Sequence, residues 1–255
     1  MSDPIAAVLT ALPVPAVVFL VGWLLTMLSM PTLEGRYGER ARTACTSISV
    51  VLQAGTVVAI LVPTWGWAQT LGVLFMVAAV GWLAEFAGAH TDLPFGPYEY
   101  TPLLQPQVGH VPVLIPLAWF MMLPPAWVVG AQIAGRTSGL SFILASALAF
   151  TAWDLYLDPQ MVAWGLWTWD GDAPRPRYFG IPWTNYVGWS VVAALITWLA
   201  GLLGTDLSAA PPSLVLVYGL TIVLEAVGLP AFWSLPGPAI AGTLGMGTCL
   251  LWALL

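Results

Sequence analysis

The 255-residue chain contains no lysine, and charged residues of all kinds make up only 7% of it. Its six basic residues are all arginines, against twelve acidic residues. A surface that binds nucleic acid needs clustered lysine and arginine to meet the phosphates, so this composition excludes nucleic acid as a partner. The net negative charge says little about other partners, because it rests on so few side chains.

Cysteine and histidine each occur only twice. Cys45 and Cys249 lie in or beside apolar stretches without metal-ligand spacing, which predicts buried, unreactive thiols. His90 and His110 flank a loop that contains proline and glycine, which is not the spacing of a metal or haem pair on one helix. We therefore predict neither a metal ion nor another cofactor.

Hydrophobic residues are abundant, at 59% of the chain, and the mean hydropathy is +0.87. A helix that crosses the hydrocarbon core of a bilayer needs about 20 apolar residues, and its backbone groups must be bonded within the segment. The strict alternation of a membrane β-barrel is absent. The sequence thus predicts an all-α integral membrane protein with a single polytopic domain over residues 1–255.

Seven apolar runs are clear, and an eighth, shorter run contains several glycines and a proline. The first run has no positive leader before it, so we interpret it as a retained helix and not as a signal peptide. We expect a bundle of eight transmembrane helices, with seven as the alternative. The runs cover residues 11–30, 44–63, 67–89, 110–132, 138–158, 183–203, 213–229 and 238–255.

The arginines predict the orientation of the bundle. Two loops that contain five of them fall on the same side by parity, and the positive-inside rule makes that side cytoplasmic. The motif-bearing regions 85–109 and 154–185 are then cytoplasmic, the amino terminus faces out, and the protein belongs in the cytoplasmic (inner) membrane of the cell. The arginines predicted inside are Arg36, Arg40, Arg42, Arg175 and Arg177, and Arg136 is the one outside.

Acidic residues gather at the same predicted face. Intramembrane ionisable residues are functional candidates by default, because a charge in lipid is costly. Eight of the twelve acids belong to this group: Glu85, Asp92, Glu99, Asp154, Asp158, Asp170, Asp172 and Glu225.

Asp154 and Asp158 are four residues apart, so a helix places them on one face. Pro159 predicts that this helix ends near Asp158, which puts both carboxyls in its last turn. The helix dipole, the second like charge and the apolar surroundings all favour a protonated acid there. An ordinary ion pair with Arg175 or Arg177 is the alternative.

The roles of three further polar residues can each be interpreted in two ways. Glu85 lies among aromatic residues, where we favour a functional role over a simple hydrogen bond between helices. Glu225 has the same two readings, and the sequence does not decide between them. His90 either contacts a ligand or simply ends the third run and caps the following loop.

Aromatic residues crowd both acidic loops. Tyrosine and tryptophan are common at membrane interfaces, which accounts for some of the 15 tryptophans. Rings beside acids would also shelter a positive charge on an apolar molecule. The candidates for contact with such a molecule are His90, Tyr98, Trp153, Tyr156, Trp164, Tyr178 and Asn185.

Two stretches carry a resemblance to a known family: EFAG at 85–88 running into HTDLPFGPYEY at 90–100, and DLYLDPQMV at 154–162. They resemble the signatures of the membrane carotenoid 1,2-hydratases, which include γ-carotene 1'-hydratases and bisanhydrobacterioruberin hydratases. The similarity continues through 115–122 and 178–189, so it covers roughly the middle of the chain.

This resemblance implies cofactor-free addition of water across the terminal 1,2 double bond of an acyclic carotenoid end of the γ-carotene, lycopene or bisanhydrobacterioruberin type. A neutral carboxylic acid must protonate the alkene to give a tertiary cation. We assign the proton donor to Asp154 or Asp158, and the orientation of water to Glu85, Asp92 or Glu99. The expected partners are the carotenoid, membrane lipid and other carotenoid biosynthesis enzymes.

Three other functions fit the same residues. The Asp154 and Asp158 pair could hold magnesium and a diphosphate in a polyprenyl transferase, although bases are scarce. A carotenoid cyclase would use the same proton donor and let an internal alkene capture the cation. A transporter or proton channel would also use clustered membrane acids, but the predicted outer half has few polar residues.

Overall fold

The computed structural model describes residues 12–171 and 176–255, and helices dominate this part of the chain. Seven of its helices are long and apolar enough to cross a membrane. The predicted all-α membrane bundle is therefore confirmed. The helices are α1 Val14–Tyr37, α2 Glu39–Thr91, α3 Leu114–Ala134, α4 Gly139–Ala163, α5 Trp183–Leu202, α6 Leu214–Phe232 and α7 Pro236–Leu254.

Helix α2 is 53 residues long and contains a break at Gly66, where φ is 72° and ψ is 167°. This conformation is open to glycine and strained for other residues. A straight helix of that length would measure about 80 Å, far more than the bilayer core of about 30 Å. Gly66 thus divides α2 into two crossing segments, 39–65 and 67–91. The seven helices of the described residues thus supply eight segments of membrane length, which is how both predicted counts arise.

Helix α4 passes through Pro159 and ends at Ala163. The predicted end near Asp158 is therefore wrong. Proline has no N–H to donate to the carbonyl four residues earlier. The Tyr178 hydroxyl donates to that carbonyl, Leu155 O, at 3.1 Å, and so replaces the missing helical bond. Asp158 lies more than a turn before the helix end, where the dipole has little effect on it.

Short strands join the two loops that follow α2 and α4. Strand β1 Tyr98–Tyr100 pairs antiparallel with β4 Trp167–Trp169. The hairpins β2 Gln107–Val108 with β3 Val111–Pro112, and β5 Arg177–Tyr178 with β6 Ile181–Pro182, complete this layer. Trp233, after α6, donates from Nε1 to Glu34 Oε2 at 2.8 Å. These loops lie on one face of the bundle, which we call the loop face; its cytoplasmic orientation stays a prediction.

Helix α3 lies at the centre of the bundle and contacts α2, α4, α6 and α7. Small residues allow close helix packing in the membrane. A Cβ atom on Gly130 of α3 would lie 2.6 Å from the backbone nitrogen of Ser146 in α4, and one on Gly242 of α7 would lie 2.4 Å from the ring of Tyr156. Cys45 and Cys249 are buried free thiols.

The orientation gives a first testable prediction. With both native cysteines replaced by alanine, single cysteines at Glu99 and Thr168 should react with a membrane-impermeant maleimide added from the cytoplasmic side. These residues are exposed cross-strand partners in β1 and β4. Ser208→Cys, in the exposed loop between α5 and α6, is the matched position and should react from the other side. Labelling of Glu99→Cys and Ser208→Cys from the same side would contradict this topology.

Candidate active site

A cavity lies between the bundle and the loop face. We call it the acid cavity, because Glu85 of α2 and Asp158 of α4 both line it. Helix α5 contributes Asn185, and the β1/β4 ribbon closes the cavity on the loop side. The fold therefore brings together acidic residues that are more than seventy positions apart in the chain.

Asn185 bridges the two aspartates. Its Nδ2 donates to Oδ2 of Asp154 at 2.7 Å and also to Oδ2 of Asp158. Oδ1 of Asp158 accepts from Nε1 of Trp167 at 2.5 Å. Both aspartates are almost fully buried, with 0% and 3% exposure. The spacing of four thus places both acids on one face, as predicted.

The charge state of this pair follows from its burial. Two carboxylates around one amide repel each other, and a low-dielectric site favours retention of a proton between them. Within the described part of the chain, Oδ1 of Asp154 is buried without a hydrogen-bond partner. The Asp154–Asn185–Asp158 group is therefore suited to donate a proton.

Glu85 forms a second acidic centre of different character. It accepts hydrogen bonds from the Tyr98 hydroxyl at 2.5 Å, the Tyr100 hydroxyl at 2.8 Å and Trp119 Nε1 at 3.1 Å. Burial opposes a charge on this carboxyl, and the three donors around it would stabilise a negative charge there. Burial, and then the charge of Glu85, raise the pKa of Tyr98 above its ordinary value, so this phenol stays a donor at neutral pH.

Aromatic rings form much of the cavity wall. Trp119 and Trp189 are stacked with ring centroids 4.7 Å apart, and both line the acid cavity. Phe150 packs against both of them, at 4.9 and 5.3 Å between centroids. Ring faces attract a cation, most strongly where water is excluded. The wall is thus suited to a short-lived positive charge.

A larger cavity adjoins the first. We call it the apolar cavity, because methionine, leucine, isoleucine and tryptophan side chains make up most of its lining. Ile115, Ala118, Leu157 and Trp167 line both cavities. An apolar chain in the larger space could therefore present one end to the acids.

The predicted contact residues fall into three groups. Trp153 and Trp164 line the apolar cavity, and Tyr98 and Asn185 line the acid cavity. Tyr156 and Tyr178 line neither cavity. The Tyr156 hydroxyl bonds to Thr243 Oγ1 at 2.7 Å, between α4 and α7. The Tyr178 hydroxyl donates to Leu155 O, and burial raises the pKa of this hydroxyl to about 12.

Three further candidates from the sequence also lie outside both cavities. Asp92 is exposed and ends α2 in the left-handed conformation, with φ of 62°. Glu99 is exposed because it occupies the outward position of β1 between two inward tyrosines. His90 is exposed, and its Nδ1 lies 2.8 Å from Phe86 O. The structure does not bring these three side chains to the buried acids.

The remaining acidic and basic candidates are placed as follows. Glu225 is buried and lines the apolar cavity, while Asp170 is exposed. Asp172 and Arg175 lie outside the described residues, so the alternative ion pair with Arg175 stays a prediction. Arg177 donates to Gly171 O at 2.7 Å, whereas the buried aspartates bond to Asn185 and Trp167. Within 12–171 and 176–255, no three acidic, cysteine or histidine residues are grouped to hold a metal ion.

Several site residues were missed in the sequence. Tyr100 could have been found from the period of two in β1, since it follows Tyr98 at that interval. Trp119 and Trp167 give no separate signal among so many tryptophans. Arg42 is buried, bonds to Glu34 and donates to Trp164 O at 3.2 Å, so it braces the apolar cavity wall. In the sequence, Arg42 contributed only to the predicted orientation of the bundle.

The sequence is similar to known proteins over much of its length. Residues 45–249 match a family described as "Carotenoid biosynthesis protein". A bisanhydrobacterioruberin hydratase from Haloarcula japonica is 34% identical over 108 residues, which is 41% of this chain and 36% of that protein. The match thus spans about a third of the relative's length. No solved structure is significantly similar.

Proposed function

This chain belongs to the carotenoid biosynthesis protein family, and from that premise we propose that it is a membrane hydratase. It adds water across the terminal 1,2 double bond of an acyclic carotenoid end. The observation that carries this proposal is the buried Asp154–Asn185–Asp158 group, whose Asp158 and Asn185 line an aromatic cavity that adjoins a larger apolar one.

The reaction begins with a proton transfer. An alkene is a very weak base, so the donor must be a neutral carboxylic acid held close to it. The Asp154 and Asp158 pair gives this proton to the CH carbon of the terminal double bond, and its own charge becomes more negative by one. The other alkene carbon, which bears two methyl groups, becomes a tertiary cation.

The site must then stabilise the cation until water attacks it. The Glu85 carboxylate lines the same cavity and supplies a fixed negative charge, held by Tyr98, Tyr100 and Trp119. Ring faces of Trp119 and Trp189 add to this stabilisation. Water forms the C–O bond, and its released proton returns to the aspartate pair directly or through the solvent. The acids are then ready for another turnover.

The substrate end reaches the acids through the apolar cavity. Carotenoids dissolve in the bilayer, and the apolar lining matches an isoprenoid chain. A polyprenyl transferase is less well supported, because a diphosphate needs cationic partners and the described residues that line the two cavities include no arginine. Other carotenoid biosynthesis enzymes would supply the hydrocarbon and consume the alcohol, in the cytoplasmic membrane.

Isotopic labelling of the product tests this function. Purified protein in lipid vesicles, supplied anaerobically with lycopene, γ-carotene or bisanhydrobacterioruberin, should form a tertiary alcohol whose oxygen comes from heavy-oxygen water. In heavy water the adjacent carbon should gain one deuterium. Added nicotinamide or chelator should change neither result.

Two other products would point elsewhere. Oxygen derived from molecular oxygen would identify a hydroxylase and overturn the proposal. A ring-closed hydrocarbon that contains deuterium and no added oxygen would identify a cyclase that uses the same acids. Vesicles that carry protons or solute without converting any carotenoid would favour a transporter.

A further inference from the structure

A second polar group lies on the wall of the apolar cavity and has no part in the mechanism above. Glu225 of α6 accepts from Gln160 Nε2 of α4 at 3.0 Å. Ser49 and Gln53 of α2 and Thr221 of α6 line the same cavity. All five side chains are more than nine-tenths buried. We call these five residues the polar strip.

Some atoms of the strip lack strong partners. The Ser49 Oγ atom is buried without a hydrogen-bond partner in the described part of the chain. Gln53 Nε2 donates to Met122 Sδ at 3.2 Å, and a thioether is a weak acceptor. Buried polar groups are normally satisfied by protein or ordered water, so an orphaned hydroxyl in a cavity indicates a small polar ligand.

The chemistry of the strip identifies that ligand. It offers acceptors in Glu225 and Ser49 together with donors in Gln160, Gln53 and Ser49. A phosphate would need a cationic partner, which the described lining residues do not provide, and a metal ion would need more than one carboxylate. Water fits, because it donates and accepts and needs two to four polar partners in a space of about 30 Å³.

The position of the strip suits the proposed reaction. Gln160 follows Asp158 by two residues on α4, so the two side chains point to different sides of the helix. Asp158 lines the acid cavity, and Gln160 lines the apolar cavity. Around the helix, Leu157 points in a direction between these two side chains, and it lines both cavities. A substrate end at this junction would have the proton donor on one side and the strip on the other.

Glu85 is a poor candidate for the same task. Its carboxyl already accepts three hydrogen bonds, which leaves it little capacity to hold and deprotonate water. Glu225 receives a single hydrogen bond among the described residues, at Oε2. Its second oxygen therefore remains for a ligand.

We propose that Glu225, Gln160 and Ser49 hold the water molecule that captures the carotenoid cation. This inference rests on the proposed hydratase function. The oxygen of that water forms a bond to the tertiary carbon, and one of its protons passes to Glu225. Glu225 then releases that proton toward the loop face, while the solvent resupplies the Asp154 and Asp158 pair. The net change is one water added, and no oxidant or reductant takes part.

The fate of the cation tests this assignment. If no water is held nearby, the cation loses a proton from a neighbouring carbon and returns to an alkene. In heavy water such a return leaves deuterium in unhydrated carotenoid. The measurement is the ratio of deuterated, unhydrated carotenoid to hydrated product, for purified protein in lipid vesicles.

The double variant Glu225→Leu/Gln160→Leu removes both partners of one buried hydrogen bond, so neither is left unsatisfied. It should raise the ratio by about tenfold or more, which is the value of one well-placed hydrogen bond to a charged group. Ser49→Ala should raise the ratio by about threefold. Glu225→Gln keeps an acceptor for Gln160 but cannot take the proton of the water, so it should also raise the ratio, by less than the double variant. Gln69→Leu, in a separate groove near the α5–α6 loop, is the matched control and should keep the wild-type ratio.

Each outcome has a distinct meaning. A fall in total turnover with an unchanged ratio in both Glu225→Leu/Gln160→Leu and Ser49→Ala would show that the strip serves only packing, and would overturn this inference alone. Wild-type protein that gives neither deuterium nor hydroxyl would overturn the proposed function instead.

Discussion

Asp158→Asn is expected to lower the rate of carotenoid hydration by about two to four orders of magnitude, which is the usual contribution of a general acid. Asparagine keeps the volume of the side chain but has no acidic proton to donate. Asp154→Asn should cause a loss of the same order, because the two carboxyls share one amide and act as a unit. The measurement is the initial rate at equal amounts of membrane-inserted protein.

The exposed acids provide the comparison for this experiment. Asp92→Asn and Glu99→Gln make the same chemical change outside both cavities and should keep rates within about twofold of wild type, as surface changes usually do. A large loss at either position, with full activity in Asp158→Asn and Asp154→Asn, would move the proton donor to the exposed loop. Wild-type turnover in the two aspartate variants and in the two exposed-acid variants would move it to Glu85.

The membrane fold is readily predicted from this sequence. Long apolar runs have few alternatives in lipid, so the crossing segments and their parity follow from hydropathy alone. The runs 44–63 and 67–89 predicted a separation at the right place, but not that it would be a break at the single residue Gly66, because glycine also occurs inside unbroken membrane helices. The wrong helix end at Pro159 has a tertiary cause. The hydroxyl of Tyr178, from another loop, replaces the backbone donor that proline lacks.

The acidic site is only partly predictable. Asp154, Asp158 and Glu85 carry a signal, since ionisable residues in apolar runs are costly. Asp92 and Glu99 carry the same charge, but a strand of three residues is too short to reveal which side chain faces inward. Asn185 was among the predicted contact residues, but its bridging role depends on how α5 packs against α4.

Glu85→Gln is the second change with a large expected effect, a fall of about two to three orders of magnitude in turnover. The variant keeps the size of the side chain and one acceptor oxygen, but it removes the negative charge beside the cation. It also places an amide NH₂ against either the two tyrosine hydroxyls or Trp119 Nε1, which disturbs the bonds that hold the side chain in place. The initial rate of hydration under saturating substrate measures the effect.

Tyr98→Phe separates charge from hydrogen bonding at this centre. It removes one donor and leaves the Glu85 carboxylate with Tyr100 and Trp119, so the loss should be about tenfold, the value of one hydrogen bond to a charged group. If charge stabilises the cation, Glu85→Gln must be slower than Tyr98→Phe by at least about tenfold. Equal losses in the two variants would mean that Glu85 only anchors the β1 tyrosines. In that case the rings of Trp119 and Trp189 would be the main stabilisers of the cation, and replacing either by leucine should then cost more than Glu85→Gln.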